Sequence, residues 1–213
     1  MKPLDQIPGL EDVTERDYWP TQSSDLLKPP ADLATAIHFH TVRDTEAGRV
    51  EGYRLASEVL VRYMLDHPGE RDVLVYPFAQ NWRHHLELRL KWILRLLHDF
   101  HDEPPPSSRT HQLERLWQDV KSRLDPFMYA IEADDLGYAD RLLVQLAQMD
   151  PDGQNFRYHR RTDGTFSLDG VRPLDLRELH DGLSAAANFL SALLDGIYEG
   201  LSYKQDMAAE SGP

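Results

Sequence analysis

The chemistry open to this chain rests on histidine, arginine and carboxylates, because its 213 residues include ten histidines and no cysteine. Without a thiol there is no disulfide, no thiolate nucleophile and no cysteine-based zinc or iron–sulfur site. Four of the histidines, His84, His85, His98 and His101, fall in the run NWRHHLELRLKWILRLLHDFH (residues 81–101). Cleavage of RNA without a metal needs a histidine that moves a proton and an arginine that holds the phosphate, roughly one to two helical turns apart. Arg95 with His101 and Arg62 with His67 have that spacing. Arg95 and His101 are the stronger catalytic pair, since they lie in the more basic stretch and His101 falls where its helix should end. A metal would instead use His98 and His101 beside Asp99, Asp102 and Glu103, or the pair His38 and His40. Di-metal bundles repeat Glu-x-x-His on facing helices. Glu178 is followed by His180 and Glu87 by Leu90, so that pattern is missing, and neither a metal nor any other cofactor is expected. The third cluster is RYHRR, residues Arg157, Tyr158, His159, Arg160 and Arg161. It suits a phosphate or an acidic partner, with Tyr158 available to stack on a base.

Charge narrows the partners. The chain carries −13 at neutral pH, which opposes wrapping a long nucleic-acid backbone. The charge is segregated, however. Residues 81–95 set Arg83, Arg89, Lys91 and Arg95 against Glu87, and RYHRR adds a second cationic stretch to an otherwise acidic chain. The glycines are scattered singly, with no phosphate-cradling loop, and no Gly-x-Ser-x-Gly elbow occurs. Nucleotide-fold enzymes and serine hydrolases are therefore not expected. No run reaches the roughly 18 apolar residues of a membrane span, and the start MKPLDQIPGL lacks the order of a signal peptide. A cytoplasmic protein with no membrane contact is expected.

The elements that must position these residues are helical. Residues 1–48 hold five prolines and many acids and read as an irregular N-terminal arm. A helical bundle domain is expected over 49–200, and a frayed tail over 201–213. In the first helix Tyr53, Ala56, Leu60 and Met64 recur at helical spacing, widened by Val59 and Tyr63, and HPGE at His67 ends it. VLVYPF follows as a short apolar link. Residues 79–101 then place Trp82, Leu86, Leu90, Ile93, Leu97 and Phe100 on one face. Opposite them stand His84, Glu87, Lys91, Arg95, His98 and Asp102 as a polar stripe. In that stripe Glu87 and Lys91 have the spacing of an exposed ion pair.

A third helix from about Thr110 buries Leu113, Leu116, Trp117, Val120 and Leu124, and Asp125-Pro126 starts a short helix through Ile131. A fourth, capped by Asp134 or Asp135, turns Leu142, Leu143, Leu146 and Met149 inward until DPDG closes it. NFRYHRRTDGTFSL reads as a short β-hairpin about Asp163-Gly164. The last helix, Pro173 to Tyr198, offers Leu176, Leu179, Leu183, Ala186, Leu190, Leu194 and Ile197. The fold class is all-α: a bundle of four to five helices with one short hairpin.

HHLELRLKWILRLL followed by THQLERLWQDV resembles the central signature of HEPN-domain proteins: an acid, three residues, a lysine, then leucines, with His-x-Leu-x-x-Leu opening the next helix. Glu87, Lys91, His111, Leu113 and Leu116 are the matching positions. The resemblance implies a helical bundle that commonly dimerises, of RNA-related ancestry and often encoded with toxin–antitoxin or phage-defence systems. It also implies that Glu87, Lys91 and His111 are structural. Many members are metal-independent ribonucleases with an Arg/His pair at the start of the last long helix. Here that place holds Arg172, Arg177 and His180 at other spacings. The expectation is thus a homodimeric, HEPN-like module that binds RNA or a protein partner encoded by a neighbouring gene. The alternatives are a ribonuclease using Arg95 and His101, and a His/carboxylate metal-binding bundle.

Overall fold

In the computed structural model the described residues are Pro20, 24–32, 34, 36–37, 45–106 and 110–210, side chains 129 and 130 excepted. The chain divides into two units, Met1–Arg49 and Val50–Pro213. Among the described residues of the first, Asp25 Oδ1 accepts from the Leu27 amide and Asp32 Oδ1 from the Ala34 amide. His38 and His40 lie outside the described residues.

Five α-helices are formed among the described residues: α1 (Glu46–Asp66), α2 (Arg71–Phe100), α3 (Leu113–Lys121), α4 (Ala133–Met149) and α5 (Leu176–Glu210), with short 3-10 turns at Pro68–Glu70 and Asp125–Ala130. The fold is all-α. Within Val50–Pro213, α2 is the central element; it packs along α5 and against α3, while α4 closes on α3 and α5. The core is one contiguous cluster, in which Trp82, Leu86, Leu90, Ile93, Leu97, Leu113, Trp117, Val120, Leu190 and Ile197 are essentially without solvent exposure. At about 1.5–3 kcal/mol per buried large apolar side chain, this cluster dominates stability.

Four elements differ from the sequence expectation. The link VLVYPF is helical: α2 begins at Arg71 and takes Pro77 into its second turn. Proline there gives up one hydrogen bond to the preceding turn, and the buried pair Phe78 and Ala79 directly after it anchors the helix. In α1 the buried positions are Val50, Ser57, Val61 and Met64; of the expected stripe Met64 is buried and Leu60 partly so, while Tyr53 and Val59 are exposed. Apolar residues surround that helix, and hydrogen bonds select the face: Ser57 Oγ donates to the Phe78 carbonyl and His85 Nδ1 to the Val50 carbonyl. Arg71 completes the joint by donating to the carbonyls of Met64 and Leu65 in the last turn of α1.

The third difference is the hairpin. No strand occurs among the described residues, and the segment holds a single antiparallel bridge, Arg160 to Phe166. The turn at Asp163-Gly164 forms, with Gly164 at φ 86°. The first arm does not extend, because the amides of Arg157 and Tyr158 both turn back to the Gln154 carbonyl. At the other end of the chain, α5 continues to Glu210, past the expected fraying, and Lys204 ties it to the end of α2 through the Phe100 carbonyl and Asp102.

Candidate functional site

The polar residues of α2 are drawn inward at one place. Arg83 and Glu87, one turn apart on α2, are only 1% and 2% exposed. Arg83 Nη1 donates to Glu87 Oε2 at 2.5 Å. Its Nη2 reaches the His111 carbonyl ahead of α3 at 2.6 Å, and its Nε the Asp150 carbonyl after α4 at 3.0 Å. The other carboxylate oxygen of Glu87 accepts from Lys91 Nζ at 2.6 Å and His111 Nδ1 at 2.8 Å. So Glu87, Lys91 and His111, three separate positions of the sequence pattern, meet at one carboxylate. The expected exposed ion pair is instead half of a buried network, because Arg83 and His111 supply partners that a solvated pair would lack.

Electrostatics fix the roles. Burial alone would push the Glu87 carboxyl up, but hydrogen bonds from Lys91 and Arg83 more than offset this and hold it below its usual value. An ionised carboxylate only accepts, so His111 must present Nδ1–H to it. The His111 side chain is 66% exposed, so the ring is oriented by a buried acid while Nε2 stays at the surface. His84, beside this group and edge-on to Tyr53 with ring centroids 4.4 Å apart, is pushed down by burial. Asp150 is also driven by burial, upward, against an amide bond from Asn155 and the field of Arg83.

The loop after α4 brings the second basic stretch to the same place. Gly153, at φ 82°, passes so close to Arg83 that a Cβ there would lie 3.2 Å from Nη1 and 3.6 Å from an Arg157 guanidinium nitrogen. Arg157 hydrogen-bonds the Gly153 carbonyl and lies over Tyr158. Arg161 is spent within the loop on Asp152 and Asn155. Arg160 lies 3.8 Å over Phe166, against which His159 also packs. Of the RYHRR cluster, Arg157 therefore adjoins the Glu87 network, Tyr158 is exposed at 53%, and Arg161 is held inside the loop.

No protein-family model, curated protein or solved structure matches this chain.

Arg95 and His101 are not neighbours of this site. Arg95 is exposed on α2, and a six-residue offset sets His101 about 120° round the axis and about 9 Å along it. His101 Nε2 donates to the Arg123 carbonyl. The residues around it serve the end of the helix: His98 donates to the Pro104 carbonyl, and Glu103 accepts from Arg123. Among the described residues no group of three His, Cys, Asp or Glu side chains is placed to hold a metal ion. No described helix is long and apolar enough to cross a membrane. Sequence reasoning missed Arg83 and Asp150. A signal existed for the first: Arg83 lies seven and fourteen residues before the core positions Leu90 and Leu97, so it shares their row.

Proposed function

We propose that this protein is a HEPN-like, homodimeric helical module of RNA-related or defence ancestry, and that it engages RNA phosphates on the surface formed by Lys91, His111 and Arg157. The observation that carries this reading is the pair of bonds by which buried Glu87 holds Lys91 and the exposed ring of His111, with Arg157 brought alongside through Gly153. Cations outnumber carboxylates there on a chain whose net charge is −13, which gives an otherwise acidic molecule one local anchor for a phosphate. Tyr158, exposed next to Arg157, offers a ring for an unpaired base.

The test is fluorescence anisotropy with a short labelled single-stranded RNA across a salt series. Saturable binding is expected, with Arg157→Ala weakening it and lowering the salt slope by about one. RNA that stays unbound at low salt, or binding untouched by Arg157→Ala and His111→Ala together, overturns the reading. Light scattering tests the dimer, since a species of 24.6 kDa is a monomer.

One observation favours catalysis as a second reading. A carboxylate that holds Nδ1–H of an exposed imidazole leaves Nε2 as a proton acceptor at the surface. Cleavage of total RNA in EDTA, abolished by His111→Gln and retained in Arg95→Ala and His101→Ala, would move the activity to this site.

A further inference from the structure

A groove of about 480 Å³ opens between α4, the start of α5 and the segment 171–175 that leads into it. Its apolar lining comes from Leu142, Leu146, Met149, Val171, Leu174 and Leu179. Val171 and Leu174 are 42% and 54% exposed, although burial of either would be favourable. Gly182 keeps the groove deep: a Cβ at that position would already press on Leu142 at 3.3 Å. The charged groups lining it are both carboxylates, Asp175 and Glu178. Asp175 is occupied in capping α5, its Oδ1 accepting from the amides of Arg177 and Glu178. Glu178 is exposed.

We infer that this groove docks a basic amphipathic helix of a partner protein. Two walls of leucine and methionine with an acidic edge match a helix whose apolar anchors recur every three to four residues and whose flank carries Lys or Arg. The carboxylates and the net charge of −13 reject the acidic counterpart of the same helix. This site shares no residue with the phosphate surface, so it stands whether or not the chain binds RNA.

The probe is a fluorescein-labelled Leu/Lys amphipathic peptide of about 18 residues, long enough for five helical turns, with the matching Leu/Glu peptide as comparison. At physiological salt the Leu/Lys peptide should bind saturably with Kd in the range of about 1–100 μM, and the Leu/Glu peptide at least about tenfold more weakly. Leu174→Ser and Glu178→Lys, both at exposed positions, should each weaken binding about fivefold or more. Glu199→Lys makes the same charge change about 30 Å further along α5 and should leave it unchanged. Absence of saturable binding overturns the inference, as does equal loss in Glu178→Lys and Glu199→Lys, which would mean attraction to net charge alone. A dimer of the unliganded chain that dissociates in Leu174→Ser would also overturn it, by making a second copy the occupant.

Discussion

Arg83 Nη1 lies 2.5 Å from Glu87 Oε2, with both side chains closed off from water. Such a pair repays its desolvation only when its remaining hydrogen bonds are satisfied, and here backbone carbonyls, Lys91 and His111 satisfy them. Removing one partner should therefore be far worse than removing both. Glu87→Gln or Arg83→Met alone is expected to cost about 3–5 kcal/mol, and the double variant clearly less than their sum. Urea midpoints of the four proteins in the cycle measure this.

Gly153 should not tolerate a side chain. Its φ of 82° is unfavourable for any L residue, and the added Cβ would approach Arg83 at 3.2 Å. Gly153→Ala is expected to destabilise by about 1–2 kcal/mol. In an Arg83→Met background the loss should shrink but not vanish, since the backbone strain remains. Thermal melts of the two single variants and the double separate the two causes.

Stability should fall on mild acidification. Burial, partly opposed by the bond to the Val50 carbonyl, pushes His85 below its ordinary value, and His84 shifts the same way. The folded state then takes up a proton less readily than the unfolded chain. The stability these neutral rings confer is complete above the unfolded value of about 6.5 and is lost as pH falls through the lowered folded value. Asp150, pushed upward, opposes the trend only in the carboxylate range. His85→Gln, which cannot titrate, is expected to flatten the dependence of Tm on pH between 7 and 5.

The end of α2 offers a gain. The Glu103 amide returns to the His98 carbonyl and the Asp102 amide to the Asp99 carbonyl, which places Asp102 in the left-handed position at φ 54° where glycine is favoured. Asp102→Gly relieves that strain and gives up a surface ion pair to Lys204 worth little. The expected outcome is a stabilisation of up to about 1 kcal/mol, read as a higher denaturant midpoint.

The helices and most of their inward faces are legible in the sequence. Leu113, Leu116, Trp117 and Val120 form a stripe so well separated from polar residues that only one face of α3 can be buried, and it is. In α1 the apolar residues run round the cylinder, so Tyr53 and Val61 are equal candidates until the Phe78 and Val50 carbonyls choose between them. The inward side of Glu87 is illegible for a different reason. A four-residue spacing to Lys91 looks alike in water and in a core, and burial depends on carbonyls of His111 and Asp150 that only the folded chain delivers. Arg157 falls in the same category, since its place beside Arg83 follows from the left-handed turn at Gly153. The hairpin is not legible in the sequence, because alternation at Phe156 and Tyr158 says nothing of the Gln154 carbonyl that captures the amides of Arg157 and Tyr158.

A single guanidinium fastens α2 to the residue ahead of α3 and to the turn after α4, with Leu113 and Pro151 joined by their own backbone bond beside it. Two connections that would otherwise breathe independently are thus made into one opening unit. Their amide protons should exchange with solvent together, at a common rate, and the release of Arg83 would convert that one slow event into two fast ones.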